Sequence, residues 1–518
     1  MKEYENYEIQ LLRFAEKGEW REGLRYLADY WLEVRGTKDQ RLSVCIGQIL
    51  IKCGYSKIAS NWLFERFMYH PRDGEIMRWL VESAAETRNH ETIQRYGEIH
   101  EEVSKTLMTP TLHLLNALLG LEKDKRFLEV YNRYPKGNMP LRGYRLYAQF
   151  LFYGKKDFEE TIRLIKSLPK ECHRWTDFPS HLALSYHLTG RSSDGLKALQ
   201  SSLESFDSNA SLTAYEIQRE DSPDKALESI NSMLSHHGYA PISIRWKDSK
   251  FDMSSLSCDS LESSQDCRLV SVLMTVHKMN PMFQTAVRSI IEQTHENIEL
   301  IIIDDASPEE DVGEYLEICN TDERIRLLHL KKNSGTYAAR NLGLSEVKGE
   351  FVLFMDSDDW THPQRIEKAL QRLDSSSKIV VAVDSYVRLT RDGSLALIGT
   401  YFVRKCMLGL WKTNVVRDEL GGFDPVRISA DSELLERAQI VYGRESVSHL
   451  PVATYFAYFH EESLTGGGRF GFGWRGLVGD RSKYAGAFRT WHQRMGSSLA
   501  EINMSTLLEQ EEPFELPQ

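Results

Sequence analysis

The stretch FVLFMDSDDWTHP, Phe351 to Pro363, decides how the second half of this chain is read. Five apolar residues, Phe351 to Met355, end abruptly in the carboxylates Asp356, Asp358 and Asp359. Such a run bounded by polar residues predicts a buried strand in a sheet covered on both faces. Its last turn then delivers Asp356, Ser357 and Asp358 to the carboxyl edge of the sheet, where open α/β sheets bind ligands. Two carboxylates one residue apart repel each other. A hard divalent ion relieves that repulsion, because Mg²⁺ and Mn²⁺ favour carboxylate oxygen and keep open positions for substrate phosphates. The plainer alternative is an acidic turn followed by a helix, with Pro363 in its first turn.

The flanking sequence repeats the strand–helix pattern. Leu269–His277 (LVSVLMTVH) and Ile298–Ser307 (IELIIIDDAS) are apolar runs, and the second also ends in carboxylates, Asp304 and Asp305. Ala286–Gln293 predicts a helix between them, Ile325–Leu330 a third strand, and Asn333–Val347 a loop and helix. Apolar strands alternating with helices predict a mostly parallel α/β sheet.

From Val270 to Thr465 the ordered motifs resemble the catalytic domain of family 2 glycosyltransferases, which have the GT-A nucleotide-diphospho-sugar transferase fold. VSVLMTVHK resembles the first strand and nucleotide loop, with Thr275 in place of a proline and His277 in place of an aromatic residue. In IIIDDAS, Asp305 stands where the family's aspartate meets the uracil. NSGTYAARN supplies Asn333, Gly335 and Arg340 near the nucleotide and pyrophosphate, and DSDD is the DxD metal motif. GGFDPVRISADSELLERA, Gly421–Ala438, resembles the acceptor helix with its catalytic base, and His460-Glu-Glu-Ser-Leu-Thr465 the segment that closes over the donor phosphates. The resemblance implies a UDP-sugar donor, Mn²⁺ or Mg²⁺ as cofactor, and an inverting transferase of the hexosyl type.

Each role has a chemical reason and a competitor. A divalent ion held by Asp358, Asp356 and His460 would stabilise the departing diphosphate; Asp356 could instead meet the ribose. Arg340 offers a planar fork to phosphate or a salt bridge to Asp305 or Asp356. Asp305 suits the uracil N–H because a carboxylate only accepts; Asp304 could do the same or cap a loop. The acceptor hydroxyl needs a general base. Asp431 is the candidate, with Ala430 replacing the family's preceding acid, and Glu433 is the alternative; positions two apart do not share a helix face. Trp411 suits either sugar stacking or the core. The glycine-rich Gly466–Gly476 reads as a loop able to order on substrate binding, or as an irregular surface segment.

Residues 1–245 read differently. Turn-like breaks recur near Gly18, Gly54, Asn89, Asp124, Gly154, Gly190 and Pro223, each followed by an amphipathic segment. The pattern resembles degenerate tetratricopeptide repeats and predicts an α-solenoid of helix pairs that binds a partner or glycan, self-associates, or acts as a spacer. Its tryptophans, Trp20, Trp31, Trp62, Trp79 and Trp175, read mostly as core. Residues 246–267 read as a linker or surface loop, 268–495 as the transferase domain, and 496–518 as a flexible acidic tail.

At 518 residues the chain needs more than one domain. A net charge of −11 argues against a general nucleic-acid partner. Seven scattered cysteines without a CxxC pair predict reduced thiols. The sequence shows no apolar stretch long enough to span a membrane and no signal-like N-terminus, so the expected location is cytoplasmic or peripheral at the inner membrane face. A glycan, glycolipid or glycoprotein is the expected acceptor. The competing function is a helical-repeat scaffold whose transferase-like half binds a nucleotide sugar without turnover.

Overall fold

The computed structural model describes residues 4–495 except 31–36, 72, 87, 89, 105–108, 135–138, 170–176, 245, 248–249, 260, 398–400, 461–471 and 478. The chain divides into two compact units, Met1–Phe150 with Arg475–Gly496, and Leu151–Trp474. Among the described residues, fourteen α-helices precede the main sheet. No described helix is long and apolar enough to cross a membrane.

The first unit is helical. Helices Gln40–Lys52, Ser56–Tyr69, Gly74–Glu86, His90–Ser104 and Thr109–Gly120 each pack on the next, and Gly74–Glu86 also touches the first and the last of them. This is how amphipathic helices bury a continuous stripe when no single pair can do so alone. Gly18 and Gly54 take φ of +71° and +83° between helices, where a side chain would be strained. Asp39 caps its helix by accepting from the Leu42 N–H at 2.7 Å. Ile46, Ile49, Leu63, Ile76 and Leu80 are fully buried. Trp62 is core, its indole donating to the Ser43 carbonyl at 3.0 Å, and Trp20 and Trp79 pack against the same cluster. Trp31 and Trp175 lie outside the described residues. Helix Gly479–Met495 belongs to this unit and buries Tyr484 and Phe488.

The second unit joins five helices, Phe158–Ser167 to Pro223–His236, to the sheet. They share one core: Leu199, Leu212, Tyr215, Ile230 and Met233 cluster with Trp360, Val387, Val452 and Phe456. Polar ties fix the same contact. The Tyr215 hydroxyl donates to the Gly393 carbonyl at 2.9 Å, and the Asn209 side chain accepts from the Phe402 N–H at 2.9 Å. The change of sequence pattern near residue 245 thus falls inside a single core. In the following segment Ile242–Ser243 pairs with Ser257–Cys258, and Met253 and Leu256 are buried.

Among the described residues the main sheet has ten strands: β1 Val270–Val276, β2 Ile298–Asp304, β3 Ile325–His329, β4 Phe351–Asp356, β5 Trp360–Thr361, β6 Val381–Leu389, β7 Leu395–Ala396, β8 Val403–Lys405, β9 Leu410–Lys412 and β10 Val447–Tyr458. The order is β3-β2-β1-β4-β9-β6-β10-β5, with β7 and β8 paired to β6. β1 to β4 are mutually parallel, β6 and β10 are parallel, and β9 joins the two sets antiparallel. The mostly parallel α/β expectation is met. The apolar runs become strands because both faces are covered: Leu300–Ile303 and Val352–Met355 are essentially solvent-free. Trp411, for which the sequence leaves sugar stacking and the core both open, is 1% exposed in β9 and belongs to the core.

Candidate active site

The site forms where β1, β2 and β4 end together. Thr275 is in register with Asp356, and Val276 with Asp304. Helix Thr336–Glu346 then brings Arg340 beneath this edge. Its guanidinium is 2% exposed, lies 5.5–5.9 Å from the Tyr337, Phe354 and Phe423 ring centres, and donates to Asp356 at 2.5 Å. Of the roles open to Arg340 in the sequence, the observed contact is the salt bridge to Asp356. Desolvation raises the Asp356 pKa, Arg340 opposes it, and Asp358 and Asp431 add to the rise. The charges of Asp358 and Asp431 thus act on the Arg340–Asp356 pair at the end of β4.

Asp305 builds the adjoining loop. Its two carboxylate oxygens accept from the backbone N–H groups of Ser334 and Gly335, each at 2.7 Å. A carboxylate has about four acceptor positions, so capacity remains for a ligand. His277 donates a ring nitrogen to the Asp305 carbonyl at 2.9 Å, and the Thr275 and Thr336 hydroxyls share a 2.8 Å bond. Asn333 accepts from Arg427 at 3.0 Å. Gly335 has φ +87° and ψ 155°, a conformation essentially reserved for glycine. Gly335→Ala should lower unfolding free energy by about 1–3 kcal/mol, the cost of that strain. Wild-type stability in a urea melt would mean that the loop can relax.

Beyond β4 the carboxylates separate in role. Asp358 Oδ2 lies 3.5 Å from His460 Nε2, with both side chains part-exposed. Ser357 contributes its carbonyl to the Asn280 side chain at 3.3 Å. Asp359 is buried and accepts from the Tyr458 N–H at 2.9 Å. Burial, then Asp358 and Asp356, push its pKa well up. Tyr455 accepts from the Asp356 N–H at 3.2 Å. Among the described residues no three His, Cys, Asp or Glu side chains form a set able to hold an ion. Two of the three expected ligands, Asp358 and His460, come together, while Asp356 pairs with Arg340. Residues Glu461–Thr465 and most of the glycine-rich stretch lie outside the described residues.

Asp431 sits in the first turn of helix Ala430–Tyr442, part-exposed, and its charge acts on both Arg340 and Asp356. It accepts from the Ser432 N–H at 2.7 Å. Glu433 is fully buried and grips Arg437 at 2.7 and 2.9 Å, and Arg437 also donates to the Gly422 carbonyl at 2.8 Å. Of the two carboxylates weighed from the sequence, only Asp431 stands at the site. Glu433→Ala would take its described carboxylate partner from the buried Arg437 guanidinium and should cost about 3–5 kcal/mol. A denaturation midpoint unchanged from wild type would contradict that.

Sequence reasoning missed three positions. Tyr455 within β10 reads as an ordinary core aromatic, and only its register beside β6 and β5 brings its hydroxyl to the carboxylates. Asp359 was seen only as part of an acidic run. Asn341 makes paired bonds to the Phe423 backbone, at 2.7 and 2.8 Å, tying the loop before the Asp431 helix to the Arg340 helix. Its place directly after Arg340 was the available signal.

Residues 271–434 match the Glycosyl transferase family 2 model, so the chain carries a domain of that family. An uncharacterized glycosyltransferase of Rickettsia felis is 38% identical over 124 residues, 24% of this chain and 20% of that protein. A Bacillus subtilis glycosyltransferase provisionally assigned to teichuronic acid biosynthesis is 33% identical over 128 residues, 24% of this chain and 50% of that protein. The matched region spans about a fifth of the length of the Rickettsia relatives. Among solved structures, S. aureus TarS 1–349 in complex with UDP-GlcNAc is 18% identical, with a TM-score of 0.32, covering 38% of this chain and 59% of that one.

Proposed function

We propose that this protein is an inverting glycosyltransferase that moves a hexosyl group from a UDP-sugar to an acceptor hydroxyl in bacterial polysaccharide or glycoconjugate synthesis. The observation that carries the reading is the Arg340–Asp356 pair beside Asp358 at one carboxyl edge, with the Asp431 charge acting on that pair, within the family-matched residues. Open α/β sheets place ligands there. The described relatives act as support for the reaction class only.

Asp358 and His460 fit a divalent ion of the Mn²⁺ or Mg²⁺ kind. Such ions are commonly held by one or two protein groups, with substrate phosphate and water supplying the rest. When bound, the ion would stabilise negative charge on the departing diphosphate. The protein's own residues do the remainder. Arg340 fixes Asp356 and offsets its charge. Asp305 holds the Ser334–Gly335 loop and keeps acceptor capacity for a base N–H. Asp431 takes the proton of the attacking hydroxyl from the side opposite the leaving group, which implies inversion.

A donor screen tests this. Purified protein with Mn²⁺ or Mg²⁺ and a panel of nucleotide sugars should release a nucleoside diphosphate from a UDP-sugar, and EDTA should suppress release. Nucleotide-sugar binding without release, with candidate acceptors present, would favour the scaffold function, and absence of nucleotide binding with metal present would overturn the transferase reading.

A further inference from the structure

Among the described residues, four arginines are buried in the second unit: Arg340, Arg365, Arg388 and Arg437. Three have carboxylate partners, namely Asp356, Asp384 and Glu433. Arg388 has none among the described residues. It is 7% exposed, and its Nη1 is buried without a hydrogen-bond partner. A guanidinium does not deprotonate to escape such a position, and leaving one unpaired away from water is costly. The neighbouring arginines show that this fold can pair buried cations, so the exception at Arg388 points to a missing anion.

The sheet register says where that anion would lie. Ala382 on β6 is level with Leu410 and hence with Leu353 on β4. Arg388 is six residues further along its strand and Asp356 only three, so Arg388 extends about 10 Å past the carboxylates. It shares a strand face with Tyr386 and lies 5.7 Å from that ring. Tyr386 is in register with Tyr455, whose hydroxyl reaches Asp356, and with Arg404 on β8. The Asp431 charge acts on the Tyr386 hydroxyl. Arg388 therefore lies on the face that carries the site, displaced from the reacting hydroxyl.

We propose that Arg388 is a subsite for a carboxylate or phosphate carried by the acceptor away from its attacking hydroxyl. The guanidinium fork suits either anion. This deepens the transferase reading and rests on it, since the acceptor side is defined by Asp431.

Saturation-transfer NMR with UDP and Mn²⁺ present, using methyl glucoside, methyl glucuronide and glucose 6-phosphate as probes, tests the subsite. Wild type should bind one or both anionic probes at least tenfold more tightly than the neutral one, and the two arms separate carboxylate from phosphate. Arg388→Gln should abolish that preference while UDP binding stays unchanged. Arg388→Met should melt at or above the wild-type temperature, because no partner is lost. Equal binding of neutral and anionic probes by wild type, a preference kept in Arg388→Gln, or loss of folding in both variants would each overturn the proposal. UDP bound without anion preference defeats the subsite alone. Arg388-dependent anion binding without UDP binding defeats the transferase reading and leaves an anion site.

Discussion

Asp431→Asn should reduce sugar transfer by about 10²–10⁴-fold, the usual contribution of a positioned general base, with UDP affinity close to wild type. The substitution is nearly isosteric. The Asn side-chain oxygen can keep the bond now accepted from the Ser432 N–H, so the first turn of the helix should persist. Removing one negative charge also relieves crowding around Asp356, on whose pKa Asp431 acts; binding of an anionic donor should not suffer. The effect belongs in the rate of transfer rather than in affinity. Parallel measurements of transfer and of UDP binding by calorimetry decide it. Transfer within a few-fold of wild type would remove Asp431 as the base. Glu433 could not then take its place without surrendering Arg437, since both are wholly buried.

Asp358→Ala should abolish most metal-stimulated donor turnover, with a loss of about 10²–10³-fold, as when one charge-stabilising group is removed from an active site. Asp358 is the informative choice because its side chain is part-exposed and its described ionic neighbour is the part-exposed His460. Its removal should move stability by no more than about 0.5 kcal/mol, as for an ordinary surface position. Asp356→Ala would be a poorer test. It strands Arg340, which is 2% exposed and donates to that carboxylate, so lost activity would mix chemistry with unfolding. Titrating Mn²⁺ against donor hydrolysis in wild type and Asp358→Ala, with thermal melts of both, separates the two effects. Full metal-dependent turnover in the variant would exclude Asp358 as a ligand.

The neighbouring positions explain why one acidic motif needs several partners. Asp356, Asp358 and Asp359 stand within four residues, yet the fold gives them different surroundings. Asp356 meets Arg340, Asp358 faces His460, and Asp359 turns inward to the Tyr458 N–H. Each carboxylate is thereby tied to a different element, which limits the repulsion expected of three adjacent charges.

Much of the second unit was legible in the chain. A run such as LVSVLMTV bounded by polar residues reads as a covered strand, and the end of such a run places Asp356 and Asp358 at the sheet edge; Asp305 is singled out from Asp304 only by the family resemblance. Glycines at Gly18, Gly54 and Gly335 announced backbone turns that other residues resist. These are local properties, set by side-chain volume, burial and allowed φ and ψ. What the tertiary structure decided depends on which distant elements meet. It made Trp411 core, tied Glu433 to Arg437, brought Tyr455 to the carboxylates from ninety-nine residues beyond Asp356, and fused the last helices to the sheet in one core. It also left Arg388 buried without an anion. Hydrophobic period specifies how a segment folds, but the partner of a buried charge is fixed only when separate strands take their register, because pairing acts over a few ångströms in space and carries no fixed spacing along the chain.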